Sequence, residues 1–453
     1  MREGEPFGVH LDTPNSSNAN NVRNVNSDGT LNNNNAYNGN NGVRPLRWKM
    51  RSSRHKPKAE YHHQRKVYPA AAIHSGGKYR IADAGAFRAA EGKGYIQRGF
   101  FMTDYEKIYN FENLLYRAYR KARQGKRWKG AAAKFEVNLL EALNLLSYQL
   151  KTKKYTLSPY NTFEVFEPKR RVVMSNSYKD KVVQHSLCDN VLEPILTRSF
   201  ITDNYASQVG KGTHYGLDRL REFLRRFYRK NGIDGWILKA DISKYFYSIR
   251  HDVLKSLIRK KIRDPDVLWL VDMIIDSTEG NIGIPIGNQS SQLFALLYLN
   301  NLDHFVKEKL GIKYYGRYMD DFFLIHEDKA YLQYCRAEIE KHVAAIGLSL
   351  NNKTNIYPLR NGVDFLGFHT YLTETGAVIR KVRRRSKNNM KRKLKKMRGL
   401  VERGKITTAT VEQSYKSWRG HAEKGNCYHL IRRTDHYYNR LFNSKEAEKC
   451  QKQ

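Results

Sequence analysis

The stretch RYMDDFFLI, residues 317 to 325, places two adjacent aspartates, Asp320 and Asp321, inside an apolar and aromatic run. Neighbouring residues of an extended strand point to opposite faces, so a straight strand would force one of the two carboxylates into the core. A tight turn between two strands avoids this by leaving both carboxylates at an exposed tip. The pattern therefore predicts a β-hairpin, and divalent metal binding gives its acidic tip a reason.

A third carboxylate, Asp241, ends the apolar run of ILKADISKYF about eighty residues earlier. Three carboxylates at neighbouring strand ends can hold two Mg²⁺ ions about 3.5–4 Å apart, which clamps the attacking and leaving oxygens in phosphoryl transfer. Mg²⁺ takes few protein carboxylates and fills its other positions with water and phosphate. We therefore expect two Mg²⁺ ions, with Mn²⁺ as a substitute. The competing interpretation is a surface turn, because Asp-Asp pairs are common.

The charge balance indicates a polyanionic partner. Lys and Arg number 81 against 44 Asp and Glu, a formal net charge of +37, and 30 tyrosines are interleaved with the positive charge. A basic surface with aromatic side chains is typical of nucleic-acid binding. The alternatives are a ribosomal-type binder or a protein that is merely cationic.

Cysteine spacing and hydropathy predict a cytoplasmic protein with no membrane partner. The four cysteines, Cys188, Cys335, Cys427 and Cys450, do not stand at zinc-ligand spacing, which favours free thiols in a reducing compartment. The longest apolar runs, 267–275 and 293–299, are much shorter than a bilayer span requires. The first ten residues lack the apolar core of a signal peptide.

Hydrophobic periodicity predicts an α+β fold. Residues 1–59 are rich in asparagine and then basic, so we expect them to be disordered. A capped amphipathic helix is expected from Thr103 or Asp104, a hairpin over FEVFEPKRRVVMS, and a helix over 178–196. From residue 235, strand-like runs alternate with helical stretches at 252–262, 265–276, 290–309 and 328–346. From Arg380 the chain again looks basic and helical. This pattern fits an antiparallel sheet covered by helices.

YMDD at 318–321, together with DISKYF at 241–246, resembles the catalytic core of reverse transcriptases, over residues 104–370 in the expected order. The resemblance implies a right-hand polymerase fold with fingers at 60–235, a palm at 236–372 and a basic helical thumb at 373–453. It also implies an RNA-directed DNA polymerase, with template RNA, primer or cDNA, and dNTPs as partners.

The resemblance further implies roles for individual residues. Asp241, Asp320 and Asp321 match the metal-binding triad, and Ile242 is expected in both the metal site and the dNTP site. Phe246 matches the residue that blocks a ribose 2′-hydroxyl and selects dNTPs, although ordinary core packing would also explain it. In EPKRR, Lys169 and Arg171 match residues that grip the incoming triphosphate.

Two matches lie further along the chain. Lys353 matches a lysine proposed to protonate the pyrophosphate leaving group, and a solvated lysine is the competing interpretation. FLGF resembles the primer-grip turn, formed by Phe365, Leu366 and Gly367.

The stretch GIPIGNQSSQ points to a subtype. Most reverse transcriptases have Gln-Gly and Ser-Pro here, whereas this chain has Ile286-Gly287 and Ser291-Gln292, as in enzymes of diversity-generating retroelements. Ile286, Gly287 and Gln292 are therefore expected near the dNTP. Because Ile286 lacks the amide of glutamine, we hypothesise that it lowers fidelity opposite template adenine. The alternative is that it has no effect on fidelity.

This subtype implies that the enzyme copies a template-repeat RNA into adenine-mutated cDNA, which then replaces a variable repeat in a process called mutagenic retrohoming. It also implies a small basic accessory protein as a partner and a bacterial or phage origin. A retron, a group II intron enzyme, an abortive-infection enzyme and a non-catalytic nucleic-acid-binding protein remain as alternatives. Residues 7 to about 45 resemble the end of a C-type-lectin or formylglycine-enzyme-like target domain, so we interpret them as the template repeat read in frame. A plain low-complexity linker is the other interpretation.

Overall fold

The computed structural model describes residues 102–126, 129–166 and 170–442, all within one compact unit. The predictions for residues 1–59, including the template repeat, and the prediction for Lys169 fall outside these residues. Within the described ranges, every helix is too short or too polar to cross a bilayer.

The first helices begin where the sequence predicts. Helix α1, Asp104–Tyr109, starts at Thr103, whose hydroxyl accepts a hydrogen bond from the backbone of Glu106 while the Glu106 carboxylate accepts one from the Thr103 backbone. The predicted helix is interrupted at Asn110, because the Asn110 side chain accepts a bond from the Asn113 backbone and caps a new start. A wider π-helical segment, Asn113–Tyr119, follows, and the next helices are α2, Arg120–Arg123, α3, Gly130–Val137, and α4, Leu139–Lys151.

The predicted hairpin and the helix after it are confirmed. Strand β1, Asn161–Val165, pairs antiparallel with β2, Arg171–Ser175. The helical segment that follows consists of α5, Tyr178–Leu187, a π-helical stretch, Cys188–Leu192, and α6, Glu193–Leu196. Helix α7, Thr213–Asn231, precedes the central sheet.

The central sheet has four antiparallel strands in the order β4-β5-β3-β6. They are β3, Trp236–Asp241, β4, Tyr314–Tyr318, β5, Asp321–His326, and β6, Asn355–Pro358. The helices between them are α8, Tyr245–Ser248, α9, His251–Arg259, α10, Pro265–Ile275, α11, Gln289–Tyr298, α12, Asn300–His304, and α13, Lys329–Ala345. The α+β prediction is confirmed.

The two faces of the sheet pack against different helices. Directly opposite residues share a face, so Asp321 and Phe323 lie on one face with their partners Asp241 and Lys239. Helix α7 covers this face, where the rings of Phe223 and Phe323 are 6.3 Å apart. Helices α11 and α12 contact the other face, where Arg317 of β4 donates to the Leu296 carbonyl and the Asp303 carboxylate. Asp241 and Asp321 therefore lie on the face opposite to that of Arg317.

A second antiparallel sheet follows, with β7, Val363–Phe365, β8, Phe368–Leu372, and β9, Val378–Val382. The helix predicted from Arg380 starts later than expected, because residues 378–382 pair with β8 and Arg380 is buried in that sheet. The sheet thus spans the predicted palm-thumb boundary at 372. The remaining helices are α14, Arg384–Glu402, α15, Thr408–Ala422, and α16, Tyr428–Phe442.

Candidate active site

The predicted acidic hairpin is present, but its tip is not exposed. Strands β4 and β5 are joined through Met319 and Asp320, and Tyr318 pairs with Asp321. Met319 has φ +54°, a left-handed conformation that side-chain-bearing residues seldom adopt. Asp320 and Asp321 are both half-buried. The expectation of an exposed tip is wrong because β3 runs beside β5 and brings its own side chains against the turn.

The structure brings the third predicted aspartate to the same turn. Asp241 lies directly opposite Asp321 across the β3–β5 pair. The backbone N–H of Ile242 donates to the carbonyl of Asp320 at 3.3 Å. On its other side, the Asn351 backbone N–H donates to the Asp241 carbonyl at 2.7 Å. Short backbone bonds therefore hold the strand end that carries Asp241 against the turn.

The Asp241 carboxylate and the Lys239 amine affect the protonation of the turn. Burial, together with the nearby Asp241 carboxylate, raises the pKa of Asp320 to about 7. Lys239, two residues before Asp241, forms an ion pair with Asp321. Burial lowers the pKa of Lys239 to about 7, opposed by the Asp241 and Asp320 carboxylates. Its ammonium also lies 5.3 Å from the centre of the Phe365 ring.

Across the described ranges, no group of three or more His, Cys, Asp or Glu side chains is arranged to hold a metal ion. The donor chemistry nevertheless fits a divalent cation, because Asp241, Asp320 and Asp321 offer the oxygen ligands that Mg²⁺ prefers. Burial, and after it the Asp241 carboxylate, raises the pKa of Asp320, so a cation at this position would favour the ionised carboxylate. Lys239 is the cation that now compensates Asp321.

Lys239 is the residue that sequence reasoning missed. A lysine within an apolar strand, two positions before an aspartate, shares the face of that aspartate. In ILKAD this spacing places Lys239 and Asp241 together, and the same rule applied to the sequence would have identified it.

Phe246 and Ile286 lie on segments that contact each other. Phe246 is half-buried in α8, and its carbonyl accepts a bond from the Ile284 backbone at 2.9 Å. Ile286 packs against Val165 and Val173 of the β1–β2 hairpin. The hairpin is therefore connected to α8 through residues 284–286.

The backbone at Gly287 lies very close to the backbone of strand β2. Its φ is +132°, and a Cβ at this position would lie 2.6 Å from the carbonyl oxygen of Met174. The neighbouring Ile286 carbonyl accepts a bond from the Met174 backbone at 2.8 Å. Glycine is thus the residue that lets residues 286–287 lie directly on β2.

Arg171 belongs to the same hairpin, opposite Val165 and half-buried. Its neighbour Arg170 forms an ion pair with Glu164, in which the closest nitrogen and oxygen are 2.5 Å apart. Gln292 accepts a bond from the hydroxyl of Ser207 at 2.7 Å. This contact joins α11 to the loop that contains ASQVGKG.

Lys353 and the predicted primer grip lie beside the carboxylate strands. Lys353 is exposed, and its backbone N–H donates to the Asn351 side chain at 3.1 Å. Leu366 and Gly367, with φ +47° and +88°, form the turn between β7 and β8. The ring of Phe365 lies 5.1 Å from that of Phe323, two residues beyond Asp321.

Comparisons with known proteins show similarity to reverse transcriptases. The family model described as reverse transcriptase (RNA-dependent DNA polymerase) matches residues 165–370. Protein YkfC of Escherichia coli (strain K12) is 24% identical over 281 residues, which cover 51% of this chain and 72% of YkfC. An uncharacterized 91 kDa protein in the cob intron of Schizosaccharomyces pombe is 28% identical over 178 residues, which cover 37% of this chain but only 21% of that protein.

Among solved structures, apo telomerase from Candida tropicalis is similar with a TM-score of 0.40 and 15% identity, covering 66% of this chain and 64% of that one. The family match includes all three aspartates of the turn and β3. Residues 165–370 of this chain are thus similar to the reverse transcriptase family.

Proposed function

We propose that the part of this chain that matches the reverse transcriptase family, residues 165–370, belongs to an active RNA-directed DNA polymerase that extends a primer into cDNA on an RNA template. The observation that carries the proposal is the convergence of Asp241, Asp320 and Asp321 at one turn of a buried sheet. Divalent cations held there, Mg²⁺ or Mn²⁺, would neutralise charge on the attacking and leaving oxygens.

The other residues act on the substrate directly. Phe246 excludes the ribose 2′-hydroxyl. Arg171 binds the triphosphate, whereas its neighbour Arg170 is paired with Glu164. Lys353 donates a proton to the pyrophosphate. Ile242, Gly287 and Gln292 shape the dNTP site, and Phe365, Leu366 and Gly367 hold the primer end.

Primer extension on an RNA template tests the catalytic assignment. The Asp320→Asn, Asp321→Asn double variant should lose at least about 1,000-fold in rate, since removal of charges that stabilise a transition state has effects of this order. Asp364→Asn is the matched control, because Asp364 is an exposed carboxylate that pairs with His369 instead of the turn. A double variant as active as the parent would refute the assignment and favour a non-catalytic nucleic-acid-binding protein.

We further propose that this polymerase serves a diversity-generating retroelement and makes errors opposite template adenine. Ile286 presents an apolar side chain to the β1–β2 hairpin, where glutamine would present an amide. Position 286 therefore offers no polar check on the nascent base pair.

Sequencing cDNA from Ile286→Gln and from the apolar control Ile286→Val tests the fidelity proposal. The glutamine variant should misincorporate less opposite adenine, while the valine variant should behave like the parent. Equal adenine errors in all three proteins would remove the basis for the proposal and leave a retron, group II intron or abortive-infection enzyme as the alternatives.

Two parts of the proposal concern partners. Flanking DNA should contain a second copy of the stretch encoding residues 7 to about 45 that differs almost only at adenines, and a linker origin predicts no such copy. A small basic accessory protein encoded nearby should co-purify with the polymerase.

A further inference from the structure

Arg317 lies on β4, two residues before the turn, and its side chain is fully buried. A buried guanidinium is costly unless its N–H groups find acceptors. Arg317 donates to both carboxylate oxygens of Asp303, at 2.6 and 2.5 Å, and to the Leu296 carbonyl at 3.2 Å. Its remaining bond, at 2.9 Å, goes to the carbonyl of Met319 inside the turn.

The hydrogen bond from Arg317 to Met319 lies where the hairpin backbone adopts an unfavourable left-handed conformation. Met319 is left-handed at φ +54° and directly precedes Asp320. Arg317 pairs with Phe322 and so lies on the sheet face opposite that of Asp321. The guanidinium therefore contacts the turn from the sheet face opposite that of Asp321.

Arg317 is itself held firmly in place. The hydroxyl of Tyr315 donates to Asp303 at 2.7 Å, which orients the carboxylate toward the guanidinium. The Arg317 backbone N–H donates to the Asp203 carbonyl, and its own carbonyl accepts from the Tyr205 backbone, both at 2.9 Å. Side chain and backbone together link α12, the 203–205 loop and the turn.

We propose that Arg317, oriented by Asp303, is a positioning residue that sets the geometry of the Asp320–Asp321 turn. This inference rests on the proposed polymerase function. Arg317 touches neither substrate nor metal, so its loss should lower kcat while the dNTP KM stays within about twofold. A displacement of about 1 Å at reacting groups lowers rates by about 100-fold, and we expect a loss of that order. The Mg²⁺ concentration required for half-maximal activity should rise in parallel.

Arg317→Lys is the main test, because lysine keeps the charge but lacks the planar fork that spans Asp303 and Met319. Tyr315→Phe is the milder variant, since it removes only the bond that orients Asp303. We expect a rate loss of a few fold from Tyr315→Phe. The pair keeps the inference testable even when Arg317→Lys fails to fold, as judged by circular dichroism.

Arg380→Lys is the matched control. Arg380 is also buried, at 5% exposure, but it donates to the backbone carbonyls of Leu217 and Lys424 and to the Asp218 carboxylate instead of the turn. Mn²⁺ binding followed by electron paramagnetic resonance adds a readout that does not require activity. Arg317→Lys should weaken Mn²⁺ binding, whereas Arg380→Lys should not.

The outcomes separate the two proposals. A folded Arg317→Lys protein with parental kcat and Mn²⁺ affinity overturns the positioning role, as does an equal effect of Arg380→Lys. A parent that binds Mn²⁺ but extends no primer contradicts the polymerase proposal, while weaker Mn²⁺ binding by Arg317→Lys still supports the positioning role.

Discussion

Replacing Gly287 with alanine tests how the Ile286-Gly287 segment is held on the hairpin. The new Cβ would lie 2.6 Å from the Met174 carbonyl oxygen, whereas ordinary contacts begin at 3.4 Å. Backbone cannot yield as a flexible side chain does, so the segment has to move away from β2 by most of an ångström.

The cost has two parts. A φ of +132° lies in a region that is nearly exclusive to glycine, which adds about 2–3 kcal/mol of strain. Moving the segment also breaks the 2.8 Å bond between Met174 and Ile286, worth about 1 kcal/mol. The free energy of unfolding should fall by about 3–4 kcal/mol, which corresponds to about 4–6 °C in Tm for a folded unit of this size.

Gly404→Ala is the matched control. Gly404 has φ +66°, and a Cβ at this position would have no other atom within 4 Å, so only left-handed strain applies, about 1–2 kcal/mol and about 1–3 °C in Tm. Thermal unfolding of both variants measures the difference, and dNTP KM should rise only in Gly287→Ala. Equal Tm values for the two variants would refute the steric argument at Gly287.

Two further predictions concern ions. Since the pKa of Asp320 is raised to about 7, the carboxyl holds a proton below pH 7 that a bound cation must displace. Mg²⁺ affinity measured by calorimetry should therefore fall about tenfold per pH unit below pH 7, and equal affinities at pH 6 and pH 8 would contradict this. On α14, Lys395 and Lys396 are exposed, whereas Arg398 is paired with Glu402 at 2.8 Å. Replacing both lysines with glutamine should reduce the salt dependence of RNA–DNA duplex binding. The slope of log binding constant against log salt concentration should fall by about 0.9 for each phosphate that is no longer neutralised, and Arg398→Gln should change this slope less. An unchanged slope in fluorescence anisotropy would exclude these lysines from the interface.

Periodicity and local signals are enough to predict much of the fold. The short continuous apolar runs in ILKAD and RYMDDFFLI locate the paired strands, because both faces of this sheet are buried. The capping pattern at Thr103 locates α1. These features depend on residues close together in sequence.

The failures have a different origin. The sequence predicts a helix from Arg380 because the basic run of α14 extends back to that residue, but pairing with β8 makes residues 378–382 a strand. The buried position of Arg317 depends on Asp303, fourteen residues away on another element. Likewise, the hairpin tip is half-buried because β3, about eighty residues earlier, lies beside it. Long-range pairing of this kind leaves no local pattern.

The ion pair between Lys239 and Asp321 has a consequence for how the protein matures. In small zinc domains, mutually repelling ligands come together only when the metal arrives, so folding waits for the ion. Here the Lys239 amine of the chain itself contacts Asp321 and, when protonated, neutralises part of the acidic cluster. The sheet can thus assemble before any cation is bound, and a chelator should strip the site of metal without unfolding the protein.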